Sequence, residues 1–210
     1  MGYRALLSNT TGINNVAIGF DSAVLTTTGG NNVSIGINSL YSNTASSSNI
    51  AIGTASLQNN TASSNTAIGH EALFTNTSAS GLTAIGYQSL KTSTGANNTA
   101  VGYQAGLNNT TGSGITAIGF TSLRANTTGS NNTAVGFEAA KTNTSGTGLV
   151  AIGTSSLNSN TTGSGNIGIG GYDSTSGSFA SLYANTTGNY NIAIGSGSLR
   201  FNVTSSITQH

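Results

Sequence analysis

Cysteine, proline and tryptophan are absent from this chain of 210 residues, and charged side chains make up only 4 % of it. Without cysteine there is no disulfide scaffold, no thiolate metal site and no cysteine nucleophile. Five basic and four acidic side chains leave a net charge of +1. That balance gives no electrostatic footprint for nucleic acid. No apolar run approaches the roughly 18 residues of a membrane-spanning helix, so no membrane insertion is expected. The first twenty residues, MGYRALLSNTTGINNVAIGF, hold no continuous apolar stretch, so no signal peptide is expected. Disorder is disfavoured too, because disordered chains carry high net charge and abundant Pro, Glu and Lys.

What the chain does have is glycine, at 30 positions, and a repeat that runs its whole length. Ala-Ile-Gly or a close variant ends at Gly19, Gly36, Gly53, Gly69, Gly86, Gly102, Gly119, Gly136, Gly153, Gly170 and Gly195. Gly2 opens the same phrase. The glycine recurs at every sixteenth or seventeenth position, except for a longer interval from Gly170 to Gly195. The phrase resumes at Ser181-Leu182, which places an eight-residue insertion at 171–178. The expectation is one repeat domain over 1–210, about twelve copies of one unit with one inserted loop.

Counting each unit from its glycine as position 0, position −1 is Ile18, Ile35, Ile52, Ile68, Ile85, Val101, Ile118, Val135, Ile152, Ile169 or Ile194. Position −2 is usually Ala and −3 is Val, Ile or Thr, while +1 is often aromatic, as in Tyr3, Phe20, Tyr87, Tyr103, Phe120 and Phe137. This period-two alternation predicts a β-strand ending at the glycine. One face carries the β-branched and aromatic residues, the other Ala and Gly. The isoleucine face is expected to be the core. Position +4, usually Leu, is also expected to point inward. The charges at +2 (Arg4, Asp21, Glu71, Glu138) and +5 (Lys91, Arg124, Lys141, Arg200) are expected to point outward. A helical turn between +1 and +5 is the alternative for that segment, but so short a stretch is too little for a stable helix alone.

A unit this short cannot bury an apolar face by itself, whereas stacked copies bury a continuous one. The predicted fold class is therefore all-β, a parallel β-solenoid or β-roll of about twelve coils, one per unit. Stacking sets like residues above one another. The asparagines at +7 (Asn9, Asn43, Asn60, Asn76, Asn109, Asn126, Asn143, Asn160) are then expected to form a hydrogen-bonded turn ladder.

The phrase Asn65-Thr66-Ala67-Ile68-Gly69, with Tyr-Gln-Ser-Leu and Asn-Thr-Thr-Gly after the equivalent glycines, resembles the head repeats of YadA-like trimeric autotransporter adhesins. It is similar to related repeats of phage and viral tail fibres. The resemblance covers nearly the whole chain. It implies a left-handed β-roll, three chains side by side, display on a cell or virion surface, and a role in attachment. It also implies that the −1 residues are core and that Gly19, Gly36 and their equivalents are the turn. The family's unit is usually a little shorter, which places the extra residues here in the Asn-Thr-Thr-Gly loop. The family's signal peptide, coiled-coil stalk, membrane anchor and C-terminal chaperone are not seen. The chain is therefore expected to be a fragment, a head module or a subunit that relies on other parts.

No catalytic, cofactor-binding or metal-binding constellation emerges. His70-Glu71 is a lone pair at +1 and +2, where other units have Tyr-Gln or Phe-Glu. The acids lie in separate units, too dispersed for a cation cage. Gly170-Gly171-Tyr172-Asp173 resembles one half of a calcium nonapeptide and occurs once. No glycine loop runs into Lys-Ser/Thr, so no phosphate loop is present. No enzyme activity is expected.

The primary functional expectation is a structural or adhesive fibre or head module outside the cell. It would assemble as a trimer or end-to-end filament and meet a surface receptor or glycan, with the inserted loop as the favoured contact. An alternative is an ice-binding protein whose Thr column at +8 (Thr10, Thr27, Thr44, Thr61, Thr77, Thr94, Thr110, Thr127, Thr144, Thr161) matches a water lattice. A polysaccharide-acting enzyme is a weaker third, since it needs clustered carboxylates. Asn-x-Ser/Thr sequons at Asn9, Asn32, Asn76, Asn109, Asn126, Asn143, Asn160, Asn185 and Asn202 open the question of glycosylation.

Overall fold

In the computed structural model, residues 2–204 are described apart from 173 and 176. Eleven short strands follow one another: β1 (Val16–Ile18), β2 (Val33–Ile35), β3 (Ile50–Ile52), β4 (Thr66–Ile68), β5 (Thr83–Ile85), β6 (Thr99–Val101), β7 (Thr116–Ile118), β8 (Thr133–Val135), β9 (Val150–Ile152), β10 (Ile167–Ile169) and β11 (Ile192–Ile194). They form one parallel sheet in sequence order, each strand beside the next. Register is fixed to the repeat, with Thr66 opposite Thr83, Ala67 opposite Ala84 and Ile68 opposite Ile85. At about 4.8 Å per strand the eleven span roughly 48 Å. The described residues contain no helix, and the segment from +1 to +6 is a run of turns.

The core is inverted relative to the sequence expectation. In every strand the middle residue is buried and the two flanking residues are not. Ile18, Ile35, Ile52, Ile68, Ile85, Val101, Ile118, Val135, Ile152, Ile169 and Ile194 therefore lie on the outer face, half-buried or exposed, and are not the core. The inside is lined by alanines such as Ala67, Ala84, Ala100, Ala117 and Ala134, and by the +4 leucines Leu40, Leu57, Leu73, Leu90, Leu123 and Leu157, all at 0 % exposure. The physical reason is the small cross-section of a coil closed by so short a unit. Its two walls face each other across one side-chain layer, and a leucine from one wall fills that layer only if the other offers alanine.

In two coils a small +4 residue is offset elsewhere in the layer. Where +4 shrinks to Gly106 or Ala140, position −4 of the same coil grows to Ile115 or Leu149, each 1 % exposed. A Cβ built on Gly106 would sit 2.9 Å from Leu90 Cδ2 and 3.6 Å from Ile115 Cδ1. Interiors at crystal-like density require this kind of exchange.

The glycine at position 0 serves both as turn and as contact. Gly119 has φ +130°, and a Cβ there would lie 2.3 Å from the carbonyl oxygen of Gly136 in the next coil. The turns beyond it also use left-handed backbone, at +2 (Glu138, φ 55°) and +4 (Leu123, φ 47°). Such conformations cost a non-glycine residue roughly 1–2 kcal/mol. Burial of the leucine and its backbone bond to the next coil, Leu123 N to Ala139 O at 3.0 Å, hold it there.

The insertion leaves the regular coil intact. Ser181 N donates to Gly170 O at 3.0 Å, the counterpart of the bond that Ser56 makes to Gly53. Phe179 thereby occupies the +1 position of its coil. The N–H of Gly197 donates to its carbonyl, as Gln104 does to Tyr87.

Candidate functional site

Two corners and one face of the coil carry its distinctive chemistry. The first corner is polar and closed. Asn76, Asn109, Asn126, Asn143 and Asn160 are 0 % exposed. Nδ2 of Asn126 donates to Asn109 Oδ1 at 2.8 Å and to Gly129 O at 2.9 Å. Asn143 does the same toward Asn126 and Gly146, and Asn160 toward Asn143 and Gly163. Asn185 continues the ladder onto Asn160 across the insertion, at 2.8 Å. In the lower coils Asn76 donates to Asn60. Asn43 donates to Thr26 and Asn109 to Ser93, hydroxyls standing in the same column. Asn9, in the first coil, is exposed and donates only to Gly12 O of its own turn.

A second amide column is one that sequence reasoning missed. Asn15, Asn32, Asn49, Asn65, Asn98, Asn132, Asn166 and Asn191 stand at −4, just before the strands. Oδ1 of Asn32, for example, accepts the backbone N–H of Asn49 at 3.0 Å, while its Nδ2 donates to Ser46 O. Asn98 and Asn132 do the same for Ile115 and Leu149. The signal in the sequence is an asparagine recurring with the period of the glycines.

The +8 threonines are also structural. Thr110 Oγ1 donates to Thr127 O at 2.9 Å, Thr127 to Thr144 O at 3.0 Å and Thr144 to Thr161 O at 3.0 Å. Thr10, Thr27, Thr61, Thr94 and Thr161 donate along the stack in the same way. The sequon asparagines are likewise committed. Asn32, Asn76, Asn109, Asn126, Asn143, Asn160 and Asn185 are at most 1 % exposed, and the Nδ2 that a glycan would need is already bonded.

The sheet face is uncharged and open. Ile18 is 47 % exposed, Ile85 37 %, Ile118 38 % and Ile194 69 %. No charged residue interrupts the −3 and −1 columns. With about 3.3 Å per residue along a strand and about 4.8 Å between strands, the sheet presents a face of roughly 500 Å², on which −1 is Ile or Val throughout and −3 is Val or Ile except for Thr in β4–β8. The largest apolar patch on a typical soluble monomer is about 300–600 Å², and such patches mark interaction sites.

Next to this face, beyond the glycine, lies the aromatic corner. His70, Tyr87, Tyr103, Phe120 and Phe137 stack in succession, with ring centroids 5.1–5.4 Å apart and planes within 21°. Their faces cover one another and their edges meet solvent. At the insertion the rings are arranged differently. Tyr172 and Tyr183 meet Phe179 edge-on at 6.0 and 5.5 Å, and Arg200 lies over Phe179 with Cζ 3.1 Å from the ring centroid. Asp173 of the glycine-rich phrase, and His210, lie outside the described residues.

The charges at +2 and +5 mostly pair with one another. Lys91 Nζ and Gln88 Nε2 both reach Glu71 Oε2 at 2.7 Å, and these bonds hold the Glu71 carboxyl below its ordinary pKa. His70 lies 3.9 Å from the same oxygen. Lys141 pairs with Glu138 at 2.7 Å. Asp21 departs from the outward expectation at 7 % exposure, with Arg4 beside it at 3.2 Å. Among the described residues, no group of three or more His, Cys, Asp or Glu side chains comes together, and no helix is long and apolar enough to cross a membrane. No protein-family model, curated protein or solved structure matches the chain.

Proposed function

We propose that this chain is a structural and adhesive fibre or head module. In this reading it works as a stiff rod that assembles side by side with copies of itself and presents its remaining surface to a receptor or glycan outside the cell or virion. The observation that carries the reading is the uncharged Ile/Val strip on the sheet face. Parallel sheets are ordinarily covered on both faces, and here no element among the described residues covers the outer one. A second copy of the chain supplies a matching strip at the same repeat distance. The three-chain arrangement follows from the resemblance to adhesin and tail-fibre repeats. The sparse ionisable groups and the commitment of most of them to ion pairs suit a rod rather than an enzyme.

The test is light scattering coupled to size exclusion, on the wild type and on an Ile85→Lys/Ile118→Lys variant. The reading expects a three-chain species that the double variant reduces to single chains with an unchanged circular dichroism spectrum. A wild type that stays a single chain at micromolar concentration overturns it. The ice-binding alternative is tested in the same sample by thermal hysteresis, which the adhesive reading expects to be nil.

A further inference from the structure

We propose that Tyr87 and Tyr103 form an oxidative cross-linking pair, a built-in site for a dityrosine bond that staples two neighbouring coils. The inference rests on the aromatic corner alone and is independent of the adhesive reading. The chain has seven tyrosines, and among the described residues these two are the only ones whose rings stack on each other. Their centroids are 5.1 Å apart and their planes 9° apart. Elsewhere the neighbours are different. Tyr3 stacks on Phe20, and Tyr172 and Tyr183 are separated by Phe179.

The pair is both fixed and reachable. Below the rings, β5 and β6 are in register, and Gln104 N donates to Tyr87 O at 2.9 Å. Above them solvent has access, with Tyr87 41 % and Tyr103 45 % exposed. The outer neighbours in the stack are His70 and Phe120, so the site holds two phenols and no third. Side chains at the rim of a strand rotate freely enough for two stacked rings to tilt until their ortho carbons meet, while the backbones stay in place.

The oxidant is hydrogen peroxide acting through a haem peroxidase. Each phenol loses one electron and its hydroxyl proton, and the two radicals couple by forming a bond between their ortho carbons. The hydrogens on those carbons move to the oxygens, which restores both phenols. The two electrons and two protons reduce one hydrogen peroxide to two waters.

Lys91 separates the partners for analysis, because trypsin places Tyr87 in peptide 5–91 and Tyr103 in peptide 92–124. The folded wild type, dilute and treated with peroxidase and hydrogen peroxide, is expected to gain dityrosine emission and lose the mass of two hydrogens. It should run as a single chain on a denaturing gel and give the two peptides joined. Tyr103→Phe, which places in the column the ring that Phe120 already provides, is expected to melt like the wild type and lose the joined peptide. Absence of the bond in the wild type, its persistence in Tyr103→Phe, or a bond found only between chains overturns the proposal.

Discussion

The amide corner and the sheet face of the same coil follow opposite rules. At the corner, carboxamides that ordinarily seek water are sealed at 0 % exposure. On the face, isoleucines that ordinarily seek a core stand in solvent. The corner tolerates burial because stacking supplies most of its amides with partners in the neighbouring coil and in their own turn. Burying a polar group is costly only when it is left unpaired. The face is exposed because the interior has room for one layer of leucine against alanine, and nothing larger fits beside it. What orders this molecule is the coil's cross-section and its repetition, with hydrophobicity deciding only what happens within that limit.

The difference can be broken most severely by covalent change at the corner. A chain made in a host that N-glycosylates the sequons is expected to remain unfolded, since a glycan on Asn126 or Asn143 replaces one of two Nδ2 hydrogens that are both bonded and cannot fit in the stack. Mass spectrometry of occupancy combined with circular dichroism checks this. The same chain made with the transferase inhibited should fold. A paired truncation sharpens the inversion: Leu123→Ala is expected to cost about 3–4 kcal/mol in denaturant unfolding, while Ile118→Ala in the isolated chain costs under about 1 kcal/mol. Asn126→Ala is expected to cost about 2–3 kcal/mol, because it leaves Gly129 O and Asn109 Oδ1 without their donor and takes from the Asn143 amide one of its two acceptors.

The smallest effect lies among the surface charges. Glu71 titrates below its ordinary value in the folded chain, so its contribution is present above the unfolded carboxylate pKa of about 4.3. That contribution is lost as pH falls through the lower folded value. Thermal melts between neutral and acid pH should show a shallow decline that is flatter in Glu71→Gln.

The period of the glycines in the sequence made the coil, the strand positions, the inward +4 leucines and the +7 asparagine column legible. It did not reveal which side of the strand faces in. Alternation groups Ile18 with Val16 and sets Ala17 apart, but a one-residue change of parity reverses inside and outside without altering the pattern. Preference for apolar residues inside was the wrong tie-breaker, because so short a coil is too narrow for them. The −4 amides were hidden for a related reason. Their role exists only between coils, and Leu82, Ile115 and Leu149 interrupt the column in alternate units. The exposed face, where the function is proposed to lie, became visible only once that parity was known.

Parity is therefore the claim on which the rest depends, and Ala117→Lys tests it in one circular dichroism melt. Ala117 is 0 % exposed and belongs with Leu123 to the same buried cluster. A lysine there would bury an unpaired charge in a layer with no space for it. The variant is expected to lose its β spectrum and its cooperative transition. If it keeps both and melts with the wild type, alanine faces solvent, isoleucine fills the coil, and the account is contradicted.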